Sequence, residues 1–473
     1  MRLYYSLING SWVKSKNKIE IQNPSNQKII GHLFDVGGDG ANKAVLAAHN
    51  AFKLWSKKSS EYRSNILKNW YKLIIKNKTS LANIITTESG KPLKESLAEV
   101  LYGASFIQWF AEQSLRVSGE TFNSPDISKK MLTIKQPIGV VSAITPWNFP
   151  VAMVTRKTGA AIASGCTVVL KPSELTPISS IRLAELGIEA GLPDGVLNVV
   201  NGYPEEIGKI LSTHPMVKKI TFTGSTNVGK YLMKQASSTV KSVSLELGGN
   251  APFIVFNDAS VEDSINGLLD AKFRNAGQTC IAANRIFVHR DIHELFLSKL
   301  IEKVSKLRIG DGLADNDIGP LINNKAIEKV QLHIDDAVKK GAEVIFGGQR
   351  YKKKELFFVP TILIKIKENM KVFKNENFGP VLPIINFSDD EELIALCNKT
   401  NYGLAAYFYT NNSKKVWKIS EELEFGMFGV NTGKISSYIN PFGGLKESGI
   451  GREGSTDGLE SFLEKKFISW NQN

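Results

Sequence analysis

The sequence predicts an α/β fold built on parallel sheets, and three observations carry that expectation. Short apolar, β-branched runs alternate with helical patterns along most of the chain. Such alternation marks a parallel sheet with helices on both faces, because each crossover between parallel strands must pass over the sheet. The alternation comes in two series separated by the pair Gly248 and Gly249. At 473 residues, with no internal repeat and no low-complexity linker, the chain has ample length for two cores of similar size.

Taken in order, residues 42–115 read as helix, with apolar residues at three- and four-residue spacing through "SNILKNWYKLIIKN". "IGVVSAI" (138–144) predicts a strand, followed by a helix near 150–163. "CTVVLKP" (166–172) predicts the next strand, and its helix near 177–190 stops at Gly191. "VLNVV" (196–200) and "KKITFTG" (218–224) continue the first series. The second holds "PFIVF" (252–256), "IFVH" (286–289), "EVIF" (343–346), "LAAYFYT" (404–410) and "FGVN" (428–431). The tail 459–470 reads as a strand with no helix after it, a kind of tail that often pairs with another chain.

Composition narrows the function classes. Against 46 acidic residues stand 59 basic ones, a net charge of +13, yet the lysines are scattered, as in Lys14, Lys16 and Lys18 or the short run 352–354. Without a basic helix or an aromatic-interleaved stripe, a solvated lysine-rich surface is expected and no nucleic-acid partner. No window reaches the ~18 apolar residues of a membrane span, and the N-terminus resembles neither a signal nor a transit peptide. Three cysteines, at 166, 280 and 397, match no zinc spacing and no disulfide framework, so a cytoplasmic protein without a metal is expected.

Cys280, in "KFRNAGQTCIAANR", is the cysteine with a motif-like context. A nucleophilic cysteine needs a base or a lowered pKa, and none of the six histidines stands in a suitable context. A carboxylate is the next candidate. In "VSLELGGNAP" strand alternation puts Ser244 and Glu246 on one face, and the Gly-Gly turn lets Glu246 project into a cleft as general base; the competing reading is an exposed strand residue. Attack on a carbonyl also creates an oxyanion that needs donors. "ITPWNFP" holds Asn148 between two prolines that stiffen the loop, although Asn148 could equally serve its own turn. "TGSTNVGK" (223–230) has the strand-to-helix context of a phosphate turn but carries Tyr231 where a P-loop needs a hydroxyl, and it lacks G-x-G-x-x-G. That departure argues against a phosphotransferase.

Glu246 in "LELGGNAP" and Cys280 in "NAGQTC", together with "PWNFP", "KPSE", "FTGSTNVG", "ENFGP" and "PFGGLKESGIGRE", resemble the aldehyde dehydrogenase superfamily, in family order along essentially the whole chain. The resemblance implies two Rossmann-like doubly wound parallel-sheet domains plus a small β oligomerisation flap. Residues 1–116 and 139–247 would form the NAD(P)-binding domain, 248–455 the catalytic domain, and 117–138 with 456–473 the segment that joins subunits of a homodimer or homotetramer. It implies that Cys280 attacks an aldehyde, that Asn148 and the Cys280 N–H hold the oxyanion, and that Glu246 activates the water releasing the acid. Lys157 would help relay protons. Thr145, Pro146, Trp147, Lys171, Ser173, Glu174, Gly224, Ser225, Gly229, Leu247, Glu376 and Phe378 would bind the cofactor. Glu174, three residues after Lys171, would accept a hydrogen bond from a free 2′-OH and repel a 2′-phosphate, so NAD is expected ahead of NADP.

Within the family the chain most resembles succinate-semialdehyde dehydrogenases, which implies that Arg156, Arg274 and Ser436, with Phe149 beside them, hold a substrate carboxylate. The arginine fork suits that task. The alternatives are glutarate semialdehyde, lactaldehyde or betaine aldehyde as substrate, or a non-catalytic NAD-binding protein. Two departures stand out. Ala282 occupies the position of a second cysteine in many relatives, so no local dithiol switch is expected, and Lys434 stands where an apolar residue is usual.

Overall fold

The computed structural model describes residues 2–351 and 355–471; the lysine run 352–354 lies outside the described residues. The helical stretch resolves into Gly37–Trp55, Ser60–Lys76, Lys78–Ser89 and Leu93–Gln113. Ser59 caps the second by accepting the Tyr62 N–H, and Gly90, at φ 78°, ends the third in the left-handed conformation. The last three bury Trp70, Phe106 and Phe110 against one side of the first sheet, where Trp55 joins them, while the first lays Ala41, Ala44, Val45 and Ala48 against the other side.

That sheet has eight strands. Its five central strands, all parallel, run in the spatial order Ser242–Glu246, Val217–Thr223, Val140–Ile144, Thr167–Lys171, Leu197–Val199. In chain order that is 5-4-1-2-3, the doubly wound arrangement. Its topological switch point lies between Val140–Ile144 and Val217–Thr223, where such sheets bind ligands beyond the carboxyl ends of the strands. The edges are antiparallel: Ser6–Ile8 and Ser11–Val13 on one side, Gly449–Ile450 on the other. Gly449–Ile450 comes from the far end of the second series. The chain returns there to cover the Glu246 strand, so the two units are stitched together beyond the glycine pair.

The second sheet has seven strands, in the order Glu343–Phe346, Thr361–Ile364, Val381–Phe387, Ala283–His289, Ala251–Val255, Ala405–Tyr409, Met427–Val430. All pairings are parallel except the first. Two of these strands, Thr361–Ile364 and Val381–Phe387, are absent from the sequence reading. Pro383 argues against a central strand, yet it sits where the ladder changes sides: it is the last partner on the Thr361 side and precedes Ile384, the first on the Ala283 side. Each sheet has its own buried core, the second around Phe253, Leu268, Phe296 and Val381.

A third sheet joins Thr121–Phe122, Lys129–Pro137 and Leu463–Asn471. The expected tail strand therefore starts later than 459, because Ser455–Glu460 is helical. Its partner is its own chain: Leu463–Asn471 pairs antiparallel with Lys129–Pro137 from Leu463↔Pro137 to Asn471↔Lys129. Among the described residues no helix is long and apolar enough to cross a membrane.

Candidate active site

Most of the residues expected to hold a cofactor gather at the carboxyl ends of the strands around the switch point. Thr145, Pro146, Trp147 and Asn148 leave the end of Val140–Ile144, Lys171, Ser173 and Glu174 the end of Thr167–Lys171, and Gly224 and Ser225 the end of Val217–Thr223; Glu246 and Leu247 close Ser242–Glu246. Thr145 and Thr223, at the ends of the two strands flanking the switch point, have buried hydroxyls without a hydrogen-bond partner. Gly229 lets Leu247 approach the helix Thr226–Ala236: a Cβ there would lie 2.4 Å from Leu247 Cδ2. Ser225 is committed to capping that helix, accepting the Val228 N–H at 3.4 Å. Ser173 Oγ likewise accepts the Leu175 N–H. Lys171 Nζ and Glu174 Oε2 pair at 2.8 Å. The Trp147 and Phe378 rings meet edge to face at 5.7 Å, and Glu376 accepts the Gly249 N–H at 3.0 Å.

The loop carrying Cys280 is unusual backbone. Arg274 begins a short 3-10 segment in which Asn275 (φ 52°) and Ala276 (φ 56°) are left-handed, followed by Gly277 at φ 78°. Left-handed non-glycine residues cost roughly 1–2 kcal/mol each, and the surroundings hold these down. Asn275 N–H donates to Glu95 Oε2 at 2.7 Å, Gln278 Nε2 donates to Pro320 O, and Gln278 Oε1 accepts the Ile322 N–H. Asn148 Nδ2 donates to Gln278 O at 3.1 Å, which brings the expected oxyanion donor to within two residues of Cys280. The Asn148 loop has its own support. Lys91 Nζ donates to Asn148 O at 2.7 Å and pairs with Glu99 at 2.5 Å, and Glu99 accepts the Val151 and Ala152 N–H groups. Gly249 is the other contact that fixes the loop: a Cβ there would sit 2.2 Å from Cys280 O.

Behind the thiol lies a buried charge cluster. Glu246 is 1% exposed, which excludes the exposed-strand reading, and neither carboxylate oxygen has a hydrogen-bond partner. Lys157 pairs with Glu453 Oε1, and Arg156 Nε lies 2.6 Å from Glu453 Oε2; Thr221 donates to Glu453 as well. Burial and the neighbouring Glu453 carboxylate raise Glu246 well above the usual carboxylate range, against the pull of Arg156 and Lys157. Burial alone would raise Glu453 too, but Lys157 and Arg156 outweigh it and hold it at about 2. Burial pushes the Cys280 thiol up to about 12, with Glu376 and Glu246 adding to the rise against Arg156 and Arg274. The resting cysteine is a thiol, and the nearby Glu246 carboxyl is held well above its usual range.

In front of the loop opens a cavity of about 530 Å³. Phe149, Arg274 and Ser436 line it, together with Glu95, Tyr102, Ile281, Tyr407 and Lys434. Arg274 stacks 5.0 Å over the Phe149 ring. Arg156 departs from the expected clamp. It is 2% exposed, stacks on Phe442 at 4.3 Å and spends its charge on Glu453, so it does not line the cavity. It acts toward the cavity only through Tyr102, whose hydroxyl faces Arg156, Arg274 and Ser436. Lys434 points outward at the mouth, paired with Asp270 at 3.2 Å. Arg285, on the other side of Cys280, is turned away from the site and donates to Asn250 O, Leu396 O and Cys397 O. Sequence reasoning missed Glu453, Glu95, Tyr102 and the Lys91–Glu99 pair. Glu453 stands within the quoted "GIGRE", which was its one available signal.

Residues 12–468 match the model of the aldehyde dehydrogenase family. The chain is 49% identical to succinate-semialdehyde dehydrogenase [NADP(+)] GabD of Escherichia coli, over 98% of this chain and 97% of that one. It is 47% identical to glutarate-semialdehyde dehydrogenase of Pseudomonas aeruginosa, over 98% and 96%. Betaine aldehyde dehydrogenase of Staphylococcus aureus, solved in complex with NAD+, superposes with a TM-score of 0.97 at 36% identity, over 99% of this chain and 95% of that one. The chain belongs to the aldehyde dehydrogenase family.

Proposed function

We propose that this aldehyde dehydrogenase oxidises an aldehyde bearing a distal carboxylate, succinic semialdehyde foremost, with NAD ahead of NADP. The observation that carries the reading is the cavity beside the Cys280 loop, lined by Ile281, with Arg274 and Ser436 on its wall and no carboxylate paired to Arg274 among the described residues. A guanidinium left unpaired in a cavity is a receptor for an oxyanion. The relatives named for succinate and glutarate semialdehyde support the same class. Glutarate semialdehyde is the second reading, since a cavity of about 530 Å³ admits one further methylene. Betaine aldehyde is cationic and is disfavoured beside Arg274.

The residues at the switch point suit a dinucleotide. Two unpartnered buried hydroxyls, Thr145 and Thr223, flank the crevice, and the N-terminus of helix Thr226–Ala236 offers unpaired N–H groups to a pyrophosphate. Lys171 and Glu174 would meet the adenosine ribose, Glu376 and Phe378 the nicotinamide end. When bound, NAD(P) supplies the acceptor for the hydride that turns a thiohemiacetal into a thioester. Everything else falls to the chain. Cys280 Sγ bonds to the aldehyde carbon as its proton passes to Glu246, directly or through water. Asn148 Nδ2, released from Gln278 O, and the Cys280 N–H donate to the oxyanion. Glu246 first gives up the thiol proton, with Lys157 and Glu453 behind it as the exit, and then takes a proton from the water that attacks the thioester; the carbon–sulfur bond breaks, the acid leaves, and the second proton returns to Cys280 Sγ to restore the thiol. The outer edge of Leu463–Asn471, with Phe467 and Trp470 exposed, is read as a contact between subunits of a homo-oligomer, and the cytoplasm as its location.

Initial rates of NADH and NADPH formation with succinic semialdehyde and with butanal test the proposal. A strong preference for succinic semialdehyde, and a larger kcat/KM with NAD, are expected. Equal rates on the two aldehydes would remove the carboxylate reading, and a larger kcat/KM with NADP would reverse the cofactor assignment.

A further inference from the structure

One titratable group of the cavity has no part in the chemistry above. Glu95 sits in the first turn of helix Leu93–Gln113 and lines the cavity beside Arg274. Its Oε2 accepts the Asn275 N–H at 2.7 Å, at the start of the left-handed turn that leads to Cys280. The neighbouring charges are otherwise committed. Lys91 belongs to Glu99 and Asn148 O; Lys94 pairs with Asp317 at 2.6 Å, which Arg308 also contacts; Asp270 pairs with Lys434. Arg274 and Glu95 are left as the open cation and the open carboxylate of one cavity, with Tyr102, Tyr407 and the Cys280 thiol as the other titratable groups toward Arg274.

We propose that Glu95 is a positioning and specificity residue of this site: it holds the left-handed turn ahead of Cys280, and, though not paired with Arg274, it is the resident carboxylate of the same cavity wall that a substrate carboxylate at Arg274 must approach, so that an anionic aldehyde binds with uptake of a proton at Glu95. The inference rests on the carboxylate reading of the cavity. Geometry supplies both halves. A backbone N–H in a strained turn needs an acceptor, and Glu95 is the acceptor it has. A second carboxylate brought to Arg274 stands within reach of Glu95, and like charges sharing one site drive one of the pair to protonate. Burial already raises Glu95 above the usual range, against the pull of the Asn275 N–H, Lys91, Arg274 and Lys94. The sign follows. While Glu95 is protonated, a substrate carboxylate at Arg274 meets no second negative charge. As pH climbs and Glu95 ionises, the KM for an anionic aldehyde rises, and a neutral aldehyde is indifferent.

The test uses the full-length enzyme and measures KM and kcat for succinic semialdehyde and butanal across about pH 6 to 9, for the wild type, Glu95→Gln and Glu95→Ala. The wild type is expected to show KM for succinic semialdehyde rising about three- to tenfold with pH, the scale of one like-charge neighbour, with a flat profile for butanal. Glu95→Gln keeps an oxygen acceptor for Asn275 and removes the charge, so it flattens the succinic semialdehyde profile at the low value. Glu95→Ala removes the acceptor and lowers kcat on both aldehydes, and Glu95→Gln recovers most of that loss. A wild-type slope retained in Glu95→Gln overturns the charge role, and a wild-type kcat in Glu95→Ala overturns the positioning role. If wild-type enzyme does not distinguish the two aldehydes in KM, the carboxylate reading fails instead, and the kcat comparison still decides whether Glu95 supports the turn.

Discussion

Two arginines that look equivalent in the sequence end in opposite surroundings. Arg156 lies behind the thiol, 2% exposed, paired together with Lys157 to Glu453 and away from the cavity wall. Arg274 lies in front, over the Phe149 ring, on the wall of an open cavity. The buried cluster ties both its cations to Glu453 and weighs on the protonation of Glu246. In the open cavity Arg274 makes no ion pair among the described residues, although Glu95 lines the same wall. Under the proposed function, the buried paired cations belong to the scaffold and the proton path, and the unpaired one at the cavity wall to substrate recognition.

The sharpest way to break the comparison is at the thiol between the two regions. Cys280→Ser should lower kcat by about 10⁴-fold or more on every aldehyde, as loss of a nucleophile does, measured by NADH formation with folding checked by circular dichroism. Glu453→Gln comes next and touches only the closed cluster. It leaves Arg156 and Lys157 buried without their anion and should cost about 3–5 kcal/mol in urea unfolding. Glu453 is held at about 2 in the folded protein, below the ~4.3 of a free glutamate. Its contribution is therefore full above that ordinary value and disappears as pH falls toward 2, so the variant should lose the acid limb of the wild-type stability profile. A smaller effect concerns the resting thiol. Because Cys280 is pushed up to about 12, its alkylation by iodoacetamide in the absence of cofactor should keep rising through pH 10 without a plateau; a plateau near pH 7 would mean a thiolate at rest. The smallest effect belongs to the cavity mouth. Lys434, exposed and paired with Asp270, is worth little, and Lys434→Leu should change kcat/KM for succinic semialdehyde by no more than about threefold, less at high salt.

What could be read in advance follows the same divide. Both sheets were legible because strands buried on both faces are continuous apolar runs, as in "VLNVV" and "PFIVF". The strand through Pro383 was not, since its tolerance depends on which neighbour donates at that point of the ladder. The motif-borne residues, Asn148, Glu246 and Cys280, were nameable because local sequence carries them and the resemblance orders them. Glu453, 296 positions from Lys157, and Glu95, 180 from Asn275, make contacts that leave no spacing to read. The shared expectation for Arg156 and Arg274 failed for the same reason, because only the fold reveals that Glu453 already holds one of them.

The central claim is that Arg274, and not the buried cluster, selects a carboxylate-bearing aldehyde. It is tested most directly by kcat/KM of Arg274→Ala against wild type on succinic semialdehyde and butanal. A loss of about 10- to 100-fold on succinic semialdehyde, the scale of a charge-assisted hydrogen bond, with butanal nearly unchanged, is the predicted result. An equal loss on both aldehydes would make Arg274 part of the scaffold and contradict the account.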